Sequence, residues 1–452
     1  MTATKSVGRQ QLIMLKGGHV VDPAQGVNEL CDLRIADGVV EQVGPDLGVD
    51  GASVIEVPAG FIVCPGFIDM HVHLREPGQE YKERISTGVE AAVAGGFVGV
   101  ACMPNTNPVN DHRAVTELIL RKAEAANLAH VYPIGAVTLG SKGKQLSEIG
   151  ELHDAGCVAI SDDGYPVADA LLMRRALEYA SMFEMPVIDH CEDPSLKGDG
   201  SVHEGYHASV LGLRGIPGEA EEVMVERDVT LSGLTDGSVH IAHMSTRGSL
   251  RAVRSGKERG INVTCEVTPH HFTLTDEELS YDTNYKMNPP LRDAGDREAI
   301  IQGLIDETID VIATDHAPHH ADDKTVEFEK APFGIIGLET AVPLVLDRLL
   351  HKGLVSIGRL VELLSTNPAR ILGLPGGSLV PGTPADITVL APDVTTEISA
   401  SRFKSLARNT PFDGWQLRGS VAAVLIGGRI VYANEDIEAA GVFQKFSPGI
   451  SS

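Results

Sequence analysis

Two histidines one residue apart, His71 and His73 in GFIDMHVHLREPG (66–78), are the part of this sequence best suited to chemistry. In a strand alternate residues share a face, so Asp69, His71 and His73 point one way and Ile68, Met70, Val72 and Leu74 the other. At a rise of about 3.3 Å per residue the two histidine Cα atoms would lie about 6.6 Å apart. From there both Nε2 atoms can converge on one zinc at about 2.0–2.1 Å. A hydrogen-bonded pair of core histidines would have the same spacing.

Further candidates end later apolar runs. Asp162 and Asp163 close AISDDG, His190 lies in VIDHCED, His243 in HIAHMST, and Asp315, His316 and His319 in ATDHAPH. Any one of them alone is more often a structural polar residue. Four histidines and two carboxylates brought to one rim would instead be a ligand set for one or two zinc ions. Such a site, with an open position, lowers the pKa of bound water to about 7 and polarises a carbonyl. Two metals sharing a hydroxide could do both at one bond, and a neighbouring carboxylate could carry the nucleophile's proton to a departing nitrogen. The set reads as hydrolysis, or its reversal, at an amide-like carbon. No GxSxG elbow or P-loop competes for the role.

Cationic and amide groups accompany these runs: Arg75 just after the histidine pair, Asn105 in ACMPN, Asn288 in KMNPPLR, and His319. An arginine with amide donors suits the planar, bidentate grip of a carboxylate. A rim salt bridge to Glu76 or Glu80 is the alternative for Arg75.

The elements that must position these residues follow from the apolar pattern. Runs near 67–74, 98–103, 130–136, 157–162, 186–191, 238–244, 262–267 and 310–315 alternate with helix-like segments such as 168–183 and 217–234. Eight such units predict an α/β fold, a (β/α)8 TIM-like barrel, whose active site lies at the C-terminal ends of the strands. A doubly wound sheet is the rival, but the Gly-rich dinucleotide fingerprint is missing. Both chain ends read as short strands, with turns at Gly17-Gly18, Asp37-Gly38 and Gly427-Gly428. The expected division is residues 1–65 and 376–452 as a small β-sandwich domain built from both ends, and 66–375 as the barrel.

Composition narrows the partners. With 37 Lys+Arg against 62 Asp+Glu in 452 residues, the net charge of −25 argues against nucleic acid or an anionic membrane as partner. A small anionic substrate is compatible, since a few local cations outweigh a distant net charge. Six scattered cysteines without a CxxC suit a reducing compartment. MTATKSVGRQQLIML lacks the apolar core of a signal peptide and no stretch could span a bilayer, so a cytoplasmic protein is expected.

Taken together, PGFIDMHVHLREPG, MPNTNP, SDDG, DHCED, HIAHMST, NPPLR, ATDHAPH and APFGIIGLET resemble the bacterial dihydroorotases of the amidohydrolase superfamily. The likeness runs from the N-terminal strands to PGTPADITVL. HxH is shared across the superfamily, whereas HVHLREPG with NPPLR and ATDHAPH is far more specific. The resemblance implies reversible closure of N-carbamoyl-L-aspartate to (S)-dihydroorotate in pyrimidine (UMP) synthesis. It implies that His71 and His73 with Asp315 bind one Zn2+ and that His190 and His243 bind a second. Asp163 and a hydroxide would bridge them, and Asp315 would also be the catalytic acid/base. Arg75, Asn105 and His319 would hold the substrate carboxylate, with His73 also facing the substrate. Asn288 and the backbone at Phe333-Gly334 would meet the ring, and the segment from His319 to Phe333 would be a lid. Many relatives bridge their metals through a carboxylated lysine on the fourth strand; CVAISDDG has none, so an aspartate would bridge, with Asp162 as the competing assignment. The same likeness brings in a related cyclic amidase (allantoinase or hydantoinase/dihydropyrimidinase) and an inactive scaffold of aspartate transcarbamoylase as alternatives. It also raises a homodimer or a complex with aspartate transcarbamoylase as partners. Against the scaffold, all six ligand residues are retained.

Overall fold

The apolar runs of the middle of the chain become parallel strands in a computed structural model that describes residues 11–437 and 439–444. They are β1 (Phe67–Val72), β2 (Phe97–Cys102), β3 (His130–Gly135), β4 (Ala159–Ile160), β5 (Val187–Asp189), β6 (Val239–Ile241), β7 (Val263–Val267) and β8 (Val311–Ile312). They lie side by side in chain order. The seam between first and last is closed by a parallel bridge between Val72 and His316, with His73 N donating to His316 O at 2.9 Å. Asp69 crosses the same seam, its buried carboxylate accepting from Thr314 N at 3.1 Å. The chain is therefore the predicted (β/α)8 barrel.

The helices between strands pack their inward faces on the barrel. The helix Ala170–Ala180 starts at Asp169, whose side chain accepts from the N–H groups of Leu171 and Leu172, and turns Met173, Ala176, Leu177 and Ala180 inward. Ile68, Val72 and Leu74 pack outward in the core shared with these helices. Met70 does not. It joins Ala101, Ile134, Ala159, Ile188, Ala242 and Val311, one small apolar plug drawn from strands all round the barrel. The pairing of β1 with β2 is irregular between Asp69 and Val72, which breaks the strict alternation expected there.

The chain ends supply one eight-stranded sheet. Ile62–Pro65 pairs antiparallel with residues 387–390, and in its core Leu15, Leu33 and Ile55 meet Ile387, Val389 and Leu425. Asp37-Gly38 and Gly427-Gly428 are hairpin turns with both residues at positive φ, as the dipeptides predict. Gly17-Gly18 is not a turn. The strand Leu12–Asp22 runs straight through it with a bulge, Gly17 at φ 71° giving its N–H to Asp32 Oδ1 at 2.9 Å. The extreme ends of the two outer segments, and the stretch MTATKSVGRQ read for a leader, lie outside the described residues. Among the described residues no helix is long and apolar enough to cross a membrane.

Candidate active site

Each candidate ligand sits at the C-terminal end of a barrel strand: His71 and His73 at β1, Asp163 after β4, His190 after β5, His243 after β6 and Asp315 after β8. All six are buried and all six meet. Asp163 is the shared member. Its Oδ1 lies 3.4 Å from His71 Nε2, 3.5 Å from His243 Nε2 and 3.7 Å from His190 Nδ1, and its Oδ2 lies 3.5 Å from His73 Nε2. Asp315 Oδ1 stands 3.0 Å from His73 Nε2 and 3.5 Å from His71 Nε2. Two overlapping triads result, His71–His73–Asp163 and Asp163–His190–His243. His71 Nε2 and Asp163 Oδ1 are buried without a hydrogen-bond partner among the described residues. Leaving such atoms unsatisfied is costly, and a cation between nitrogen and oxygen donors is the group that satisfies both. Asp162 points elsewhere, to the N–H and hydroxyl of Thr138.

The backbone is strained at the same rim. His243, Asp315 and Arg75 hold φ values of 30°, 48° and 60°, a region that costs non-glycine residues about 1–3 kcal/mol and that clusters at functional sites. Burial alone would raise the Asp315 carboxyl, but the neighbouring His71 and His73 imidazoles more than offset it and hold it to about 2.

Two carboxylates missed in the sequence stand behind the histidines. Glu266, fully buried on β7, has Oε1 2.7 Å from His71 Nδ1 and Oε2 3.2 Å from His240 Nε2, and it accepts from His243 N at 3.2 Å. Glu192 Oε2 lies 3.3 Å from His190 Nε2. A carboxylate on the far nitrogen fixes the tautomer and ring orientation of a metal-binding histidine. A charged residue inside the apolar run VTCEV was the available signal for Glu266.

The residues read as substrate contacts surround this cluster. Arg75 is 8% exposed; its Nε donates to Pro318 O at 3.2 Å and its Nη2 lies 3.5 Å from His319 Nε2. Neither expected carboxylate pairs with it: Glu76 takes Lys122 and the N–H of Ile85, and Glu80 takes the N–H of Gly78. Burial, with Arg75 and Lys82 nearby, holds His319 down to about 2, so it is neutral and donates Nε2–H to Phe333 O at 2.8 Å. Asn105 Oδ1 meets His73 Nδ1 at 2.9 Å, and Asn288 Nδ2 donates to Glu192 at 3.1 Å. Gly334 has both backbone groups engaged, its N–H with Lys286 O and its carbonyl with Lys324 Nζ and Asn409 Nδ2. The segment expected to be a lid is held from outside by one lysine and braced from within by another. Lys286 Nζ donates to Phe328 O and Glu329 O, and Lys324 Nζ to Pro332 O and Gly334 O.

A parallel barrel with imidazoles and carboxylates converging at its C-terminal rim defines a hydrolase of the amidohydrolase kind. Solved structures agree on the architecture. The L-hydantoinase (dihydropyrimidinase) of Arthrobacter aurescens superposes with a TM-score of 0.84 at 25% identity, covering 93% of this chain and 96% of that one. The dihydropyrimidinase of Brevibacillus agri NCHU1002 gives 0.82 at 24%, covering 94% and 96%. Sequence goes further. A family model described as dihydro-orotase-like matches residues 60–249. A dihydroorotase of Pelotomaculum thermopropionicum is 54% identical over 93% of this chain and 98% of its own length. One of Geobacter metallireducens is 51% identical over 93% and 99%. The chain belongs to the dihydroorotase family.

Proposed function

We propose that this chain is a zinc-dependent dihydroorotase, closing N-carbamoyl-L-aspartate to (S)-dihydroorotate with release of water, and the reverse, in de novo pyrimidine synthesis. The observation that carries this is the convergence of six ligand-type side chains on one rim, beside a buried Arg75 that makes no ion pair among the described residues. His71 and His73 with Asp315 would hold one zinc, His190 and His243 a second, and Asp163 both. When bound, zinc supplies Lewis acidity, which activates water near neutrality and polarises a carbonyl.

The side chains supply the rest. As a carboxylate, Asp315 takes the proton of the attacking water in hydrolysis and returns it to the ring nitrogen that leaves. In cyclisation the same carboxylate takes that proton from the nitrogen and hands it to the departing oxygen. Arg75, its Nε committed to Pro318, presents its terminal nitrogens to the substrate carboxylate. His73 takes the oxygen of Asn105, which leaves the Asn105 NH2 as a second donor. Neutral His319 stands against Arg75 without adding a competing charge. Asn288 and Phe333-Gly334 form the wall toward the ring.

Residues 66–375 are read as the catalytic barrel, with 1–65 and 376–452 as the accompanying β domain. Six free, buried cysteines support a cytoplasmic setting. The decisive test is turnover of dihydroorotate and of carbamoyl aspartate by purified protein, with metal analysis, before and after chelation. About two zinc ions per chain and activity lost and regained with them are expected. Preference for allantoin, hydantoin or dihydrouracil would replace this reading by a related cyclic amidase.

A further inference from the structure

One carboxylate outside the proposed ligand set gathers three partners at this site. Glu192 is 7% exposed, and three donors from separate segments converge on its Oε2: Lys197 Nζ at 2.5 Å, Asn288 Nδ2 at 3.1 Å and His190 Nε2 at 3.3 Å. Lys197 in turn stands 5.1 Å over the ring of Phe333. The proposed zinc ligand His190 and the ring-facing Asn288 therefore share a single oxygen.

The consequence falls on Asn288. Its Nδ2 also stands 3.2 Å from His190 Nε2, whose proton is directed at Glu192. Turned the other way, the amide oxygen would meet the Glu192 carboxylate at 3.1 Å, two acceptors with no proton between them. Glu192 thus dictates which end of the amide points where. With the NH2 held, Oδ1 is the end left over, and it is buried without a hydrogen-bond partner among the described residues. A buried acceptor lacking a donor is a place for a ligand N–H. Dihydroorotate carries N–H groups in its ring.

We propose that Glu192 is a positioning residue that fixes Asn288 as an acceptor for a ring N–H and ties that recognition to His190. The inference rests on the dihydroorotase reading above. Glu192 does not touch the reacting atoms; it acts through Asn288.

A double-mutant cycle on dihydroorotate hydrolysis tests it, with zinc content and Tm measured on every variant. Glu192→Leu removes the acceptor and should raise KM about 3- to 10-fold, the value of one hydrogen bond. Asn288→Ala should do the same. Compared at equal zinc content, the double variant should be no worse in KM than Asn288→Ala alone, because Glu192 then has no amide left to orient and its contact with His190 is read in the zinc content. Glu192→Gln should restore KM to within about threefold, since its single oxygen can occupy the position of Oε2. A purely structural role would lower Tm and zinc content without that rescue and without that non-additivity. Additive effects on KM, or a folded leucine variant with KM unchanged, would overturn the proposal. Should the leucine variant not fold, Glu192→Met runs the same cycle. Wild-type protein inactive on dihydroorotate would overturn the underlying reading instead, so the two failures are distinct.

Discussion

Glu266 Oε1 lies 2.7 Å from His71 Nδ1, with neither side chain reached by solvent. The proton between them sits on His71 Nδ1, which turns the Nε2 lone pair toward the centre of the site, where that atom has no protein partner. β7, the strand that carries Glu266, provides none of the proposed ligands. Its contribution is to aim the ring of His71, which comes from β1 two strands away, and to hold the backbone N–H of His243 at the end of the adjacent β6. Glu266→Gln should weaken zinc affinity about 10- to 100-fold, read by competition with a chromogenic chelator. Unaltered affinity would mean that packing alone orients His71.

Asp315→Asn should leave a folded protein with kcat lowered about 100- to 10,000-fold, the range for losing a general acid/base. Near-normal turnover in protein of measured zinc content would remove Asp315 from proton transfer.

Arg75→Met should cost about 10- to 100-fold in kcat/KM for dihydroorotate, as expected for losing charge-assisted hydrogen bonds to a carboxylate. Any residual activity on dihydrouracil, which lacks that carboxylate, should not fall. Equal losses on both substrates would place the carboxylate elsewhere.

Glu339 offers a pH-dependent test away from the site. Burial pushes its carboxyl up to about 7, although the N–H groups of Lys404 and Ser405 donate to it. The folded state therefore holds a proton that the unfolded state has already lost between about pH 4.5 and 7, so stability falls as pH rises through that window and levels above it. Glutamine cannot ionise. Glu339→Gln should gain on the wild type by about 1–3 kcal/mol between pH 5 and pH 8 in urea unfolding, and an unchanged difference would contradict the raised pKa.

Much of this was legible in the chain because the relevant signals are local. Eight apolar runs with helical spacers count out the barrel, and a polar residue at the end of a run marks the rim. Which of two adjacent aspartates turns inward is not local: Thr138, from a different strand end, draws Asp162 away and leaves Asp163 among the imidazoles. Glu266 and Glu192 were missed because their partners are set by neighbouring strands and loops. Gly17-Gly18 misled because positive φ serves a bulge as well as a turn, and Asp32 across the sheet decides between them. Met70 misled because the alternation rule assumes a regular ladder, which β1 lacks at that point.

The sheet shared by the two ends sets a timetable for synthesis. Cys64 and Thr388 touch, yet they stand 324 residues apart in the chain. At roughly 5–20 residues per second, a ribosome needs roughly 16 to 65 seconds to make the second after the first. Throughout that interval the strand Ile62–Pro65 has an open edge able to pair with another nascent chain. Crowded translation of this protein at high expression should therefore favour aggregates, and slower or cooler expression should raise the soluble yield.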